Sequence, residues 1–452
     1  MAYPAQRPTG TGIRTAPLEM MRAALLATAL ALGGAAVLTV AQPTQANAQE
    51  KKAARPEVGK PLQEAQALAK KGQHKQALAQ IDKAKAVANK TPYETFLVDQ
   101  TSAFIYLGMK QPEKAAEALE AALKTGNLSP EDKRDRLEAI AKLHYQAGNH
   151  DQVVAYADRA MKEGGDDGSL RVLMAQSLFM QNKHKEAAAT MLPAVQAAEK
   201  AGKAPPEEQL QMLANAYFQS NDKKNFVGAM ERLVRHYPKP EYWNGLLGDI
   251  TAQPGFSDRL NFDVAKLRLA TGTLEDARAY NEMAQQALMA RFPNEAKQIL
   301  DRGMQAGVLG KGENAQREQR LVDYANKQAE EGKAGLAERE KTAKTGDDLF
   351  NAGRAYASYG DHQNGIRLME AGMKKGGLSN PEHARLRYGV ALLEAGQKQK
   401  AEAALKAVKG TDGAAQLAGL WLLRSQTGAP ATTAAAPAAP AATTATATAK
   451  PR

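Results

Sequence analysis

The sequence contains no cysteine. Disulfides, cysteine nucleophiles, thiolate metal sites and a lipid-modified N-terminal cysteine are therefore excluded together. Aromatic residues are scarce, at 5%, and β-branched runs of the kind that form strands are few. Enzyme signatures are missing as well: there is no His-Glu-x-x-His, no Gly-x-Ser-x-Gly, and no Gly-x-Gly-x-x-Gly after a strand pattern. The loop Gly307-Val-Leu-Gly310-Lys311-Gly312 has neither the glycine spacing nor the Ser/Thr after lysine of a phosphate cradle, and reads as an inter-repeat loop. Glu163-Gly-Gly-Asp166-Asp167-Gly-Ser169 lacks the alternation of a calcium loop, and Asp167 or Ser169 is expected to cap the next helix. No catalytic residue, metal site or cofactor is expected.

What the chain does contain is 452 residues, 43% hydrophobic and 24% charged, enough to bury a core. Ala, Leu, Lys, Glu and Gln dominate, which is the composition of helices. The formal net charge is +11, with lysines and arginines interspersed among acids. That pattern reads as a solvated helical surface or, more sharply, as weak attraction to anionic lipid headgroups or acidic envelope polymers. Nucleic acid is not an expected partner.

The N-terminus reads as an address. Arg22 precedes the uncharged run Ala23 to Ala41, and Ala46-Asn47-Ala48 has the small-x-small form of a cleavage site, placing cleavage before Gln49. No Arg-Arg pair occurs there, which favours the general export route. The expectation is a signal peptide over 1–48 and a periplasmic mature chain without stable membrane insertion. The alternative is an uncleaved Ala23–Ala41 helix anchoring the chain in the inner membrane, and Met20 or Met21 is an alternative start.

From Gly59 to Ser425 one pattern recurs. From the anchor Ala141, His144 lies three residues on, Gly148 seven, His150 nine, and Val153, Ala157 and Ala160 follow. Ala65 gives Leu68, Gly72, His74, Ala77, Ile81 and Ala84; Ala103, Ala175, Ala214, Ala284, Gly353 and Gly389 give the same series. Anchors recur about every 34–39 residues, with two doubled gaps that each leave room for one degenerate unit. Small residues one turn apart let two antiparallel helices approach, and Gly or Asn at the turn tolerates the left-handed conformation that ends the first helix. A lone hairpin cannot bury its apolar face, so neighbours stack.

This series resembles the tetratricopeptide repeat (TPR) family over about four fifths of the chain. The likeness rests on the small residue, the aromatic one turn later, the turn glycine, the second-helix alanine and a closing proline such as Pro238, after which Tyr242-Trp243-Asn244-Gly245-Leu246 restarts the opening. Phe226 and Gly365 depart from the second-helix alanine. The stretch KPEYWNGLLGDITAQPGFSDRLNFDVAKLRLATG is similar to a segment of exported proteobacterial TPR proteins. The resemblance implies an all-α, right-handed α-solenoid of about ten hairpins. The expected organisation is a linker over 49–58, repeats over 59–239, a degenerate unit over 240–273, a repeat over 274–310, a degenerate hairpin over 311–346, and repeats with a C-terminal capping helix over 347–425. The capping helix, Ala414 to Arg424, presents Trp421 to the final hairpin, and 426–452 is an Ala/Pro/Thr tail with nothing to pack. His74, His150, His184 and His362 share one slot two residues after the turn, and His144 fills the first-helix aromatic slot, so they read as packing residues rather than ligands.

A solenoid offers a groove. In each first helix a stripe rotated from the packing face combines side-chain amides with rings or leucines: Gln100 and Phe104; Tyr145; Gln176 and Phe179; Gln211, Asn215 and Phe218; Asn281 and Gln285. Carboxamides suit the backbone of an extended peptide and rings supply pockets; the other reading is an ordinary soluble helix surface. The lysine/asparagine/arginine set with which some TPR co-chaperones hold a C-terminal carboxylate is not reproduced, Asn281 and Arg278 being isolated echoes. The expected function is a non-catalytic periplasmic scaffold for protein or peptide partners in envelope assembly, export or transport. The alternative is a membrane-tethered structural subunit of a larger envelope complex.

Overall fold

The repeat shows itself first in the backbone at the turns. In the computed structural model, the residue seven positions after every anchor has left-handed φ: Gly72, Lys110, Gly148, Asn182, Asn221, Arg291, Gly360 and Gly396, from 56° to 85°. The next amide then reaches back to the carbonyl three residues after the anchor, as in Asn149 to His144 at 2.8 Å, Lys183 to Leu178 at 2.9 Å and Gln397 to Leu392 at 2.9 Å. This six-to-one bond is the Schellman closure, which satisfies a carbonyl that the ending helix would leave unpaired. The structure describes residues 53–427 except 127 and 165–167. The leader 1–48, the start of the linker and the tail beyond Thr427 lie outside the described residues, as does Asp167.

Among the described residues there are 21 α-helices and no strand. They fall into two compact units that divide between Ala229 and Met230. The first holds α1 (Pro56–Lys70), α2 (His74–Ala86), α3 (Pro92–Gly108), α4 (Pro112–Lys124), α5 (Pro130–Ala147), α6 (His150–Lys162), α7 (Ser169–Met180), α8 (His184–Lys200) and α9 (Glu207–Gln219), and α10 (Lys223–His236) crosses the division. The second holds α11 (Pro240–Thr251), α12 (Asn261–Thr271), α13 (Ala277–Met289), α14 (Pro293–Gln305), α15 (Ala315–Ala334), α16 (Leu336–Thr342), α17 (Gly346–Ser358), α18 (His362–Lys375), α19 (Pro381–Glu394), α20 (Lys398–Lys406) and α21 (Ala414–Gln426).

Proline starts these helices more often than it interrupts them. Pro56, Pro92, Pro112, Pro130, Pro240, Pro293 and Pro381 sit in first turns, where no intrahelical partner for the amide is lost. Thr91 with Glu94 and Thr345 with Asp348 form reciprocal capping boxes. Gly168 holds the cap position before α7, and Ser169, expected as a cap, is its first helical residue.

Helices pair as antiparallel hairpins with the anchors at the seam. Ala65, Ala141, Ala175, Ala214 and Ala284 are all fully buried. The α17/α18 hairpin carries this furthest: a Cβ on Gly353 would stand 2.5 Å from the Gly365 carbonyl, and one on Gly372 would stand 2.6 Å from the Gly346 carbonyl. Gly365, the departure from the alanine pattern, is thus matched by a glycine opposite. The chain is an all-α solenoid of TPR-like hairpins.

Two segments of the second unit depart from the simple stack. In 311–346, α15 runs 20 residues and α16 only 7, the two meeting at Gly335, while α15 packs on α14 and α16 on α17. The unit also closes on itself. Ser257 N donates to Asp412 O at 2.9 Å, Arg424 Nε donates to Ala270 O at 3.0 Å, and a Cβ on Gly413 would meet the Phe256 ring at 2.4 Å. In an open solenoid each repeat touches only its neighbours. Here the loop before α12 and α12 itself meet α19 and α21, so the capping helix covers α12 as well as the last hairpin.

Candidate functional site

In the first unit the stripe residues lie on the first helix of successive hairpins, α3, α5, α7 and α9, and direct contacts between α5 and α7 and between α7 and α9 place those three helices in one layer. The rings divide into two kinds. Phe104 and Phe218 are 48% and 53% exposed. Tyr145 and Phe179 are half-buried, because each leans on the histidine that opens its own second helix: Tyr145 meets His150 edge-on at 5.9 Å and Phe179 meets His184 at 4.7 Å. Phe218 also touches Phe226, at 5.7 Å, so this departure from alanine supports an exposed ring. Gln100, Gln176, Gln211 and Asn215 are half-buried beside these rings.

The remaining stripe residues, Asn281 and Gln285, lie on α13 in the second unit. Gln285 is exposed, whereas Asn281 turns inward and donates from Nδ2 to Glu318 Oε1 on α15 at 3.3 Å. Arg278 pairs with Glu282 one turn along its own helix, at 2.7 Å.

The histidines occupy hairpin seams. His74 packs under Gly108, where a Cβ would stand 2.6 Å from its ring, and His150 Nδ1 lies 3.4 Å from Ser177 Oγ of the next hairpin. His144 is buried, stacks on Tyr156 at 5.5 Å and bonds Glu120 through Nε2 at 2.9 Å. Burial and the neighbouring Glu120 push the Tyr156 hydroxyl up to about 12, so it stays protonated. Among the described residues no group of three His, Asp or Glu side chains is placed to hold a metal ion.

The closure of the second unit gathers charges that sequence patterning did not mark. Asp263, Lys266, Glu295, Arg354, Arg387 and Glu394 line a cavity of about 30 Å³ with Trp421 over it, roughly the space of one or two waters. Lys266 Nζ sits 3.7 Å from Glu295 and 3.5 Å from Glu394. Burial works against its charge, but the two carboxylates outweigh burial and raise its pKa. Burial lowers the Arg354 guanidinium, partly offset by Glu295. Three acids face three bases, which balances formal charge across the closure. Glu295, Arg354, Arg387 and Glu394 fall at repeat positions where any solvated polar residue fits, and Asp263 and Lys266 lie in the degenerate unit, so only the long-range packing reveals them.

No family model and no curated protein matches the sequence. Among solved structures the chain is similar to YrrB, described as a TPR protein with an unusual peptide-binding site, at 14% identity and a TM-score of 0.31, over 43% of this chain and 91% of that one. It is similar to the Naa15/Naa10 complex bound to HypK-THB at 13% identity and a TM-score of 0.30, over 76% of this chain and 62% of that one. Yeast Tom70 is similar at 11% identity and a TM-score of 0.23, over 81% and 95%.

Proposed function

We propose that the chain is a non-catalytic scaffold that binds protein or extended-peptide partners across the first-helix layer of its first unit, in the cell envelope after export. One observation carries the binding surface. The large hydrophobics left exposed in that unit, Phe104, Met180 and Phe218, all sit on first helices, α3, α7 and α9. Second helices of the same unit carry none among the described residues. Exposed rings beside half-buried carboxamides give an extended chain both pockets and backbone partners. The leader 1–48, with its uncharged run Ala23–Ala41 and the Ala46-Asn47-Ala48 triplet, supports export and a periplasmic site of action.

The test is capture from envelope extract by the tagged chain, beside a variant with Gln176, Phe179, Gln211 and Phe218 changed to alanine. A partner held by the first and lost by the second supports the surface. A partner held equally by both removes the function from the first-helix layer.

The uncharged run Ala23–Ala41 favours a second reading, a subunit tethered to the inner membrane. No helix among the described residues is long and apolar enough to cross a membrane, and on this reading the run Ala23–Ala41 supplies the tether. A membrane pool resistant to salt extraction selects the tether, and a mature N-terminus at Gln49 selects cleavage.

A further inference from the structure

The repeat breaks at α15 and α16, and a second cavity opens beside that break. It has a volume of about 380 Å³, within the range of small-ligand sites. Its lining is mixed: Leu288, Phe292, Pro293, Tyr324 and Tyr359 supply apolar and aromatic surface, and Arg291, Gln328, Glu331 and Arg339 supply polar groups. The two exposed large hydrophobics of the second unit belong to this neighbourhood: Tyr324, 54% exposed, lines the cavity, and Met289, 84% exposed, follows Leu288.

The charges there are unbalanced. Arg291 and Arg339 line the cavity against one acid, Glu331, which accepts from Gln328 at 2.8 Å. Arg339 donates from Nη1 to Arg291 O at 3.2 Å, and its guanidinium lies 5.6 Å from the Phe292 ring. Neither arginine forms an ion pair with a carboxylate among the described residues. Burial, together with the charge of Arg291, holds the Arg339 guanidinium below its ordinary pKa. Arg354 rests on the same ring at 3.9 Å, so Phe292 is a shared platform for two guanidiniums. Phe292 is itself the exception in its slot: the residue after the turn is Gln73, Gln111, Asn149, Lys183, Asp222, Asp361 or Gln397 in the other repeats. Tyr359 is fixed by donating its hydroxyl to Ala329 O at 2.7 Å.

We propose that this cavity binds a monoanion, a carboxylate carried on a flat apolar or aromatic body. Two guanidiniums against one carboxylate leave a single positive charge to neutralise, which suits a monocarboxylate better than a dianionic phosphate. The planar guanidinium fork matches both oxygens of a carboxylate, and the Phe292 ring at 5.6 Å with the hydrogen bond to Arg291 O positions the Arg339 guanidinium before the ligand arrives. The rings of Tyr324 and Tyr359 with Leu288 supply the surface for the apolar body. The site lies wholly in the second unit.

The test is calorimetric titration of the full chain with 3-phenylpropanoate, its neutral counterpart 3-phenylpropanol, and inorganic phosphate. The acid is expected to bind about tenfold or more tightly than the alcohol, and phosphate to give no heat. Arg339→Gln is expected to weaken the acid by about tenfold or more. Tyr324→Ala, at a side chain 54% exposed, is expected to weaken acid and alcohol alike while leaving thermal unfolding followed by circular dichroism nearly unchanged. A peptide ending in a free phenylalanine carboxylate, beside its amide, distinguishes a chain terminus from a free small acid as the source. Equal binding of acid and alcohol, no binding of the acid at millimolar concentration, or unchanged binding in both variants overturns the proposal.

Discussion

The Arg387 guanidinium on α19 grips both carboxylate oxygens of Asp263 on α12, at 2.8 to 3.2 Å, across 124 residues of chain. The side chain of Asp263 is 6% exposed and that of Arg387 25%, so the pair is largely removed from water. Removing one partner strands the other, whereas replacing both with apolar groups costs far less. Arg387→Leu is expected to destabilise the second unit by about 2–4 kcal/mol, and Arg387→Met with Asp263→Leu to recover more than half of that loss. The measurement is convenient, because both tryptophans, Trp243 and Trp421, lie in this unit, and their fluorescence in urea reports on it. Equal losses in the single and double variants would mean that the closure does not depend on the pair.

Gly365 reverses the usual expectation for a TPR-like repeat. Alanine is the pattern residue at its slot and gains about 1 kcal/mol over glycine in a helix. Yet a Cβ there would stand 2.9 Å from both the Ala357 Cβ and its backbone N, atoms with no flexible end to swing aside. Overpacking of this kind costs about 1–3 kcal/mol. Gly365→Ala is therefore expected to lower the urea midpoint of tryptophan fluorescence although it restores the pattern. A raised midpoint would show that α17 and α18 can separate freely.

The turns and seams were legible in the sequence because each rests on contacts within some forty residues. A small anchor, a left-handed position seven residues on and an alanine seam repeat often enough to be read without neighbours. The fold class followed from them. The inward turn of Asn281 was not legible, because its partner Glu318 belongs to α15, a helix outside the repeat register. Nor was the closure. Arg387 occupies a slot where any solvated polar residue fits, Asp263 lies in the degenerate unit, and no periodicity distinguishes a pair that meets 124 residues apart. One hint was available in Phe292, an apolar ring in a slot otherwise polar.

Glu94 predicts how the first unit responds to acid. Its oxygens accept from Arg55 N, Nε and Nη2 at 2.9 Å each and from Thr91 N at 2.8 Å. The hydrogen bond from the Arg55 side chain, against the opposing effect of burial, brings its pKa down to about 2 from an ordinary 4.5. A folded pKa below the unfolded one gives stability that is complete above the unfolded value and disappears as pH falls through the folded value. Glu94→Gln is expected to weaken α1 and α3 at neutral pH, with a deficit that shrinks below pH 4.5 and disappears only as pH falls below about 2. Helical circular dichroism of wild type and variant against urea, at several pH values, measures it. A deficit that does not change with pH would assign the loss to packing rather than charge.

The left-handed turn positions permit a paired test of backbone strain alone. Gly148 has φ of 79°, and a Cβ placed on it would meet nothing within 4 Å. Any loss on changing it to alanine is thus conformational, and about 1–2 kcal/mol is expected. Lys110 already bears that strain at φ 56° with an exposed side chain. Lys110→Gly relieves it, at the expense of about 0.5–1 kcal/mol for the freer unfolded chain, so a small net gain of about 0.5 kcal/mol is expected. Thermal unfolding followed by circular dichroism should therefore move in opposite directions for the two variants. Movement in the same direction would mean that the Lys110 side chain contributes contacts that outweigh its backbone strain.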